Sequence, residues 1–406
     1  MKYLLTILLF PLVLISCGQV SSQSENSKDA PKLLEDYSIQ EIDSLFEKQN
    51  DNFRLHELET FTTHLFSELN GTMLIYRDGA IIERKTSGLL RFYIPKNGYE
   101  TWSAAELKAA KNKSSNRLKH TTFYELASIS KQFTAAAVLT LVQDGKLKLT
   151  DTLTAFYPEL PYPNVTIHQL LSHTSGLPEY FNFPISYFDT THLLTNQELI
   201  TILIKEKVPS IFSPGYNYKY INTNYVLLAA IVEKVADLRF EDYVHQRIFL
   251  PAGMTQTFFS TEKEENSDKS IAKGHLRNKS ELPLNYLDGT VGDKGIYSTP
   301  EELLKWKEAF FVQKKIINAD LLSKATSKQN YIKGKGKASE VYGYGLRIEE
   351  GQNVGKLIYH GGLWRGYQNV FVYRPSDNTV IIFLSNYRNS AHIGKSNEIL
   401  QILDGA

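Results

Sequence analysis

Tyr124-Glu125-Leu126-Ala127-Ser128-Ile129-Ser130-Lys131-Gln132-Phe133-Thr134-Ala135-Ala136-Ala137 decides how this chain is read. A turn of small residues feeds an Ala-rich apolar run, and that run predicts a buried helix. Positions three apart share one helix face, with Cβ atoms roughly 5–6 Å apart. Ser128 and Lys131 therefore stand one turn apart near the helix start. A serine hydroxyl attacks poorly until a neighbour takes its proton, and a lysine in an apolar, donor-rich site can lose its charge and do so. The unpaired N–H groups of a helix start suit a developing oxyanion. The same spacing recurs at Ser270-Ile271-Ala272-Lys273, in a polar stretch that reads as surface, so spacing alone does not single out Ser128.

Two further motifs follow in order. Tyr220-Ile221-Asn222 comes after the Pro214-Gly215 loop and before an apolar helical run from Val226 to Val235. Such a loop presents a phenol and an amide side by side. The phenol carries protons if a nearby cation lowers its pKa; the amide bonds a substrate carbonyl or the lysine. Tyr180-Phe181-Asn182 and Tyr367-Gln368-Asn369 share the spacing. His360-Gly361-Gly362 ends a strand signal just before Leu363-Trp364-Arg365. Its glycines let a ligand approach the backbone of an edge strand, where the Leu363 N–H would face that of Ser128 across an oxyanion hole. His360 would add a polar, titratable group. His392-Ile393-Gly394 repeats the pattern in a polar segment and reads as unrelated.

Taken together, Ser128-x-x-Lys131, Tyr220-x-Asn222 and His360-x-Gly362 resemble the motif set of the serine β-lactamase and penicillin-binding superfamily, in its class C-like branch. The S-D-N and K-T-G motifs of class A enzymes are replaced here. Longer stretches agree: Leu170 to Pro178, Gly292 to Leu303 and Tyr342 to Leu346 each resemble a family segment. The resemblance runs from about Gly71 to Leu384. It implies Ser128 as the acylated nucleophile and Lys131 with Tyr220 as the proton-transfer pair, with the resting proton assigned to neither. Asn222 then bonds substrate or Lys131, and His360, Gly361, Gly362 and Leu363 line the substrate strand. His173 reads as structural. Class C enzymes usually carry lysine where this chain has His360, so penicillins are expected to be poor substrates unless Arg365 supplies the charge.

The totals fit an ordinary globular protein: 406 residues, 42% apolar, 22% charged. A net charge of +1 leaves no electrostatic footprint for nucleic acid. No H-E-x-x-H or clustered Cys/His pattern appears, so neither metal nor cofactor is expected. Lys2 followed by the short apolar stretch Tyr3 to Ile15 reads as a signal peptide, residues 1–16. Leu14-Ile15-Ser16-Cys17-Gly18 resembles a bacterial lipobox, which implies cleavage before Cys17 and lipid on its sulfur. Cys17 is the only cysteine, so the folded part has no disulfide. Residues 17–31 are polar and read as a tether from the membrane, on the periplasmic side or cell surface.

Apolar residues at helical spacing follow, at Ile39, Ile42, Leu45 and Phe46 and at Leu58, Phe61, Leu65 and Phe66. Thr72–Tyr76 and Ala80–Arg84 flank Asp78-Gly79, a hairpin signal. Arg91 to His120 breaks the pattern as a partly helical excursion. Thr299-Pro300-Glu301-Glu302 reads as a capping box. After the Lys333–Lys337 loop, β signals return at Tyr342–Ile348, Lys356–His360, Asn369–Tyr373 and Thr379–Leu384, and Ser396–Leu403 looks helical. The expectation is an α+β fold of the β-lactamase/transpeptidase type over 32–405. An antiparallel sheet is built from both chain ends (about 32–127 and 315–405) and flanked by helices, with an inserted all-α lobe (about 128–314). The expected activity is an exported serine hydrolase cleaving an ester or amide: a β-lactam, a D-amino-acid peptide or a carboxylic ester. The alternatives are a protein that captures a cell-wall peptide without turnover, and a purely structural envelope lipoprotein.

Overall fold

The computed structural model describes residues 53–65, 70–92, 108, 112–330, 341–351, 355–388 and 392–405. The signal peptide, Cys17, the tether, the helical spacing at Ile39–Phe46, Phe66, most of the Arg91–His120 excursion and the Lys333–Lys337 loop lie outside them.

Seven antiparallel strands form the main sheet: β1 Gly71–Arg77, β2 Ala80–Ser87, β6 Val341–Tyr342, β7 Arg347–Gly351, β8 Gly355–Trp364, β9 Tyr367–Arg374 and β10 Thr379–Ser385. Their order is β2-β1-β10-β9-β8-β7-β6, so the first and last strands in the sequence meet where β1 pairs with β10. The Asp78-Gly79 turn has both residues at positive φ, 46° and 94°, as a tight hairpin turn requires. The single strand expected over Tyr342–Ile348 is two strands, interrupted at Gly343-Tyr344-Gly345.

Period-two alternation divides the sheet residues between two cores. Met73, Ile75, Ile381 and Phe383 pack under the helices α1 (residues 53–65) and α5 (His392–Asp404), through Leu58, Ile399, Leu400 and Leu403. Leu74, Val380, Ile382 and Leu384 face the larger core. That core holds α2 (Lys131–Gln143), α3 (Thr223–Ala236) and α4 (Pro300–Lys307). Every residue of α2 from Lys131 to Leu141 is buried, which explains why its sequence is apolar all round rather than striped. The middle of the chain is mostly helical but not purely so. Short strands β3 (Tyr124–Glu125), β4 (Phe258–Phe259) and β5 (Ile296–Ser298) form a second, three-stranded sheet, order β3-β5-β4, whose strand β3 leads into the Ser128 turn.

At the start of α4, Thr299 Oγ1 caps the Glu302 N–H with Pro300 in the first turn. The Glu302 carboxylate does not close the expected box; it accepts the N–H groups of Gln256 and Thr257 instead, tying α4 to the approach to β4. Trp306 of α4 is fully buried, stacks on Phe310, packs tilted against Phe133 with ring centroids 4.5 Å apart, and donates from Nε1 to Gln132 Oε1 at 3.0 Å. Replacing Trp306 with Ala should cost about 3–5 kcal/mol, read as a lower midpoint in urea; an unchanged midpoint would show that this aromatic stack does not support α2.

Candidate active site

Ser128 lies in a 3-10 turn, Ala127–Ser130, that runs directly into α2. Ala127 enters it at φ 52°, a left-handed conformation that costs an alanine on the order of 1 kcal/mol. The flanking pairs β3–β5 and β8–β9 hold the turn in that shape. Leu126 N donates to the Ile296 carbonyl, and Asn369 of β9 donates to the Glu125 carbonyl. A Cβ on Gly362 would come within 2.2 Å of the Leu126 carbonyl, and one on Gly345 within 2.5 Å of the Lys131 carbonyl. Gly362 of β8 and Gly345 of the β6–β7 connection let the sheet close onto the Ser128 turn.

Lys131 is completely buried. Its Nζ lies 2.8 Å from Asn222 Oδ1, 2.7 Å from the Asp293 carbonyl and 3.1 Å from Ser128 Oγ. A neutral amine has two N–H donors and one lone pair. The two carbonyl oxygens can take the donors, which leaves the lone pair for the serine proton. Burial pulls the Lys131 pKa down to about 8, with Arg347 adding to the drop and Asp293 and Glu179 opposing it. The Tyr220 ring lies 5.0 Å from the same ammonium.

Tyr220 is not a phenol made acidic by a cation. Burial pushes its pKa up, and the Ser128 hydroxyl and Arg347 only partly oppose this. It rests protonated. Its oxygen is buried and makes no hydrogen bond of normal geometry, although Ser128 is close enough to influence its titration. The pair left open by the sequence is thereby divided: the amine is the group able to accept a proton, and the phenol is the group able to give one.

Asn222 turns its amide oxygen to Lys131 because Glu179 takes the other end. Glu179 Oε2 accepts from Asn222 N at 2.7 Å and from Nδ2 at 3.0 Å. The segment before Glu179 builds the loop that carries Tyr220. His173 Nδ1 accepts the Ile221 N–H at 3.1 Å, its ring packs 4.3 Å from that of Tyr220, and Thr223 Oγ1 donates to the Pro178 carbonyl.

His360 is placed otherwise than expected. It is buried, its pKa is lowered well below the ordinary histidine value by burial and then by Arg347 and Lys131, and both ring nitrogens are engaged. Nδ1 donates to the Gly361 carbonyl at 2.7 Å, so Nε2 accepts from Tyr342 Oη at 3.0 Å. It offers no titratable charge. β8 is not an edge strand along its whole length. β7 pairs it from Gly355 to Tyr359, and from His360 onward that edge has no strand partner; Tyr359 and the residues after it line the cleft. Gly361, Gly362 and Leu363 line that cleft with Ser128, Tyr220 and Asn222, in a cavity of about 480 Å³. Arg365 does not reach it. At the β8–β9 turn its Nε pairs with Asp288 at 3.7 Å, facing a different cavity.

The cationic groups of the cleft are Arg347 and Lys294. Lys294 is buried beside Asp293 and lies 4.9 Å from the Trp364 ring, which stacks on Phe181. None of Arg347, Lys294, Glu179, Phe181 or Trp364 was identified from sequence. The available signal was adjacency: Glu179 follows the Leu170–Pro178 segment, Arg347 follows Tyr342–Leu346, and Asp293-Lys294 sits inside the Gly292–Leu303 segment. Phe181 and Gln368 and Asn369 belong to the two stretches sharing the Tyr-x-Asn spacing, and these too line the cleft.

The fold, with a buried lysine between the Ser128 turn and a Tyr-x-Asn loop, defines the serine β-lactamase and penicillin-binding superfamily. The chain belongs to the Beta-lactamase family, which matches residues 72–405. A penicillin-binding protein of Bacillus subtilis is 32% identical over 284 residues, 66% of this chain and 62% of its own length. A D-aminopeptidase of Brucella anthropi is 24% identical over 319 residues, 78% of this chain and 56% of its own. This chain thus spans less than two thirds of either relative. Among solved structures, an octameric penicillin-binding protein homologue from Pyrococcus abyssi superposes with a TM-score of 0.69 at 26% identity, covering 86% of this chain and 77% of that one.

A neutral Lys131 as base has a definite pH signature. Deprotonation activates, so acylation of Ser128 should rise with pH, reach half its plateau near pH 8, and not fall at mildly alkaline pH. Glu179→Gln keeps the acceptor for Asn222 but removes a charge that holds the Lys131 pKa up, so the rising limb should move to lower pH. Glu179→Ala should lower the plateau about tenfold, the loss expected for about 1–3 kcal/mol of buried hydrogen bonding. Burst kinetics across pH decide it; a limb that stays in place in Glu179→Gln would remove Glu179 from this role.

Proposed function

We propose that this protein is a serine hydrolase that cleaves an ester or amide through an acyl-enzyme on Ser128. The observation that carries the proposal is the buried Lys131 amine, 3.1 Å from Ser128 Oγ, with its pKa lowered to about 8. In the proposed sequence Lys131 takes the Ser128 proton as Oγ attacks the carbonyl carbon. Tyr220, protonated at rest, gives its proton to the leaving nitrogen or oxygen and recovers it from Lys131. Water then attacks the acyl-enzyme by the reverse proton path, releasing acid and free serine. Backbone N–H groups of the Ser128 turn and of β8 near Leu363 would hold the oxyanion, where losing one donor typically costs roughly 10²–10³ in rate.

The acyl donor is proposed to be a D-amino-acid peptide, amino-acid amide or related β-lactam. Supporting this are relatives named as a D-aminopeptidase and a penicillin-binding protein, and a cleft whose Arg347 suits an anionic substrate group. Labelled penicillin and a fluorophosphonate should each give a mass shift on Ser128 that Ser128→Ala abolishes. Turnover of D-amino-acid peptides, nitrocefin and p-nitrophenyl esters then ranks the donors. No Ser128-dependent adduct with either reagent would sink the hydrolase reading. An adduct that forms but never turns over with any donor would favour a capturing protein.

The reading extends to export and to a membrane anchor through lipid on Cys17, supported by Lys2, the apolar Tyr3–Ile15 stretch and Leu14-Ile15-Ser16-Cys17-Gly18. Expressed in a bacterium, the full chain should partition into membranes and lose residues 1–16, with lipid on Cys17 by mass spectrometry. An unprocessed chain, or an unmodified Cys17, would refute the anchor.

A further inference from the structure

A second cavity, of about 610 Å³, opens at the β8–β9 turn and shares no lining residue with the catalytic one. The repeated Ser-x-x-Lys stretch, Ser270-Ile271-Ala272-Lys273, runs along it. That stretch is not the simple surface its composition suggests. Ala272 is fully buried, Ile271 bridges to Phe123, and Ile271 and Lys273 line the cavity.

The charges on its walls are unevenly matched. Asp288 already accepts from Trp364 Nε1 at 2.8 Å and from Asn285 N at 2.6 Å, besides its pairing with Arg365. Glu281 is bound by Arg91. Glu264 is exposed. Glu125 accepts the Gly295 N–H, and burial pushes its carboxyl up to about 8, so at neutral pH it is largely uncharged. Lys269 donates to the Gln256 carbonyl and covers the Phe123 and Phe258 rings. Lys263 donates to Tyr297 Oη at 2.9 Å, and neither Lys263 nor Lys273 is ion-paired with a described carboxylate. Arg365 Nε and Ser260 Oγ are buried atoms without a hydrogen-bond acceptor or donor. At the rim, Leu284 and Leu193 are 71% and 43% exposed, and Leu282 and Tyr367 continue the apolar wall.

We propose that this cavity is a binding site for an amphipathic organic anion, its charged head among Lys263, Lys273 and Arg365 and its apolar body against Leu282, Leu284 and Tyr367. Lys263 and Lys273 are half-buried cations with no contacting carboxylate among the described residues, and Arg365, whose nearest carboxylate is Asp288 at 3.7 Å, keeps a buried Nε without an acceptor; together they favour an anion. The exposed leucines at the mouth favour an apolar body over an inorganic ion. The proposal does not depend on chemistry at Ser128.

The test is calorimetric titration of octanoate into Ser128→Ala protein, so that no turnover intervenes. One saturable site is expected. Octan-1-ol, which keeps the chain and lacks the charge, and the double variant Lys263→Met/Lys273→Met should each bind at least about tenfold more weakly, a loss of about 1.4 kcal/mol. Leu284→Asp, on the exposed rim, should weaken octanoate as well. Arg347→Gln, in the catalytic cleft, should leave its affinity unchanged. Circular dichroism melting checks that each variant is folded; if the double variant is not, Lys273→Gln alone takes its place. Absent saturable binding, equal binding of the alcohol, unchanged affinity in the lysine variants, or loss in Arg347→Gln would each overturn the site.

Discussion

A lysine amine with no access to water is the constraint on which the site turns. An ammonium of this kind is expensive to bury, and the structure meets the expense by letting its pKa fall rather than by supplying a contacting carboxylate. The groups within hydrogen-bond reach of Lys131 are an amide oxygen, a backbone carbonyl and the serine hydroxyl. Such partners stabilise an amine almost as well as an ammonium, which a carboxylate would not do. The carboxylates of Asp293 and Glu179 act on it only at longer range, and they keep its pKa near neutrality.

Each partner is in turn held by something else. Glu179 fixes the orientation of Asn222. The Asp293 side chain is engaged by Tyr180 and Lys294, so its carbonyl stays aimed at Lys131. Positions of this kind matter because catalytic groups must be held by neighbours whose own geometry is fixed. The same logic covers His360. Engaged at both nitrogens and kept neutral, it buttresses β8 and Tyr342 rather than meeting substrate charge. The cleft takes its positive charge from other walls: Arg347 lines it, while Lys294 is buried against Asp293 and Tyr180.

The large sheet serves the site mainly through its glycines. Gly345, in the β6–β7 connection, and Gly362, in β8, bring backbone against the carbonyls of Lys131 and Leu126, distances that no side chain would permit. The strained Ala127 is tolerated because β3, β5 and β9 determine the path of the chain on either side of it.

Much of this was legible in the residue order. The Asp78-Gly79 hairpin, the apolar strands at both ends, the buried helix after Ser128 and the Ser, Lys, Tyr and Asn of the cleft are local signals: turn chemistry, periodicity and short spacing. The hairpin, strands and helix survive because each is fixed by neighbours close in the chain, whereas the four cleft residues were recognised by spacing and are brought together by distant contacts. What the order of residues did not determine is anything set by approach between distant segments. The proton that Tyr220 keeps, the lowered pKa of Lys131, the neutrality of His360, the place of Arg365 outside the cleft and of Arg347 within it, and the role of Glu179 all follow from burial and from contacts between residues tens to hundreds of positions apart. Ionisation depends on which surfaces exclude water, and that is decided only when the sheet closes over the helices.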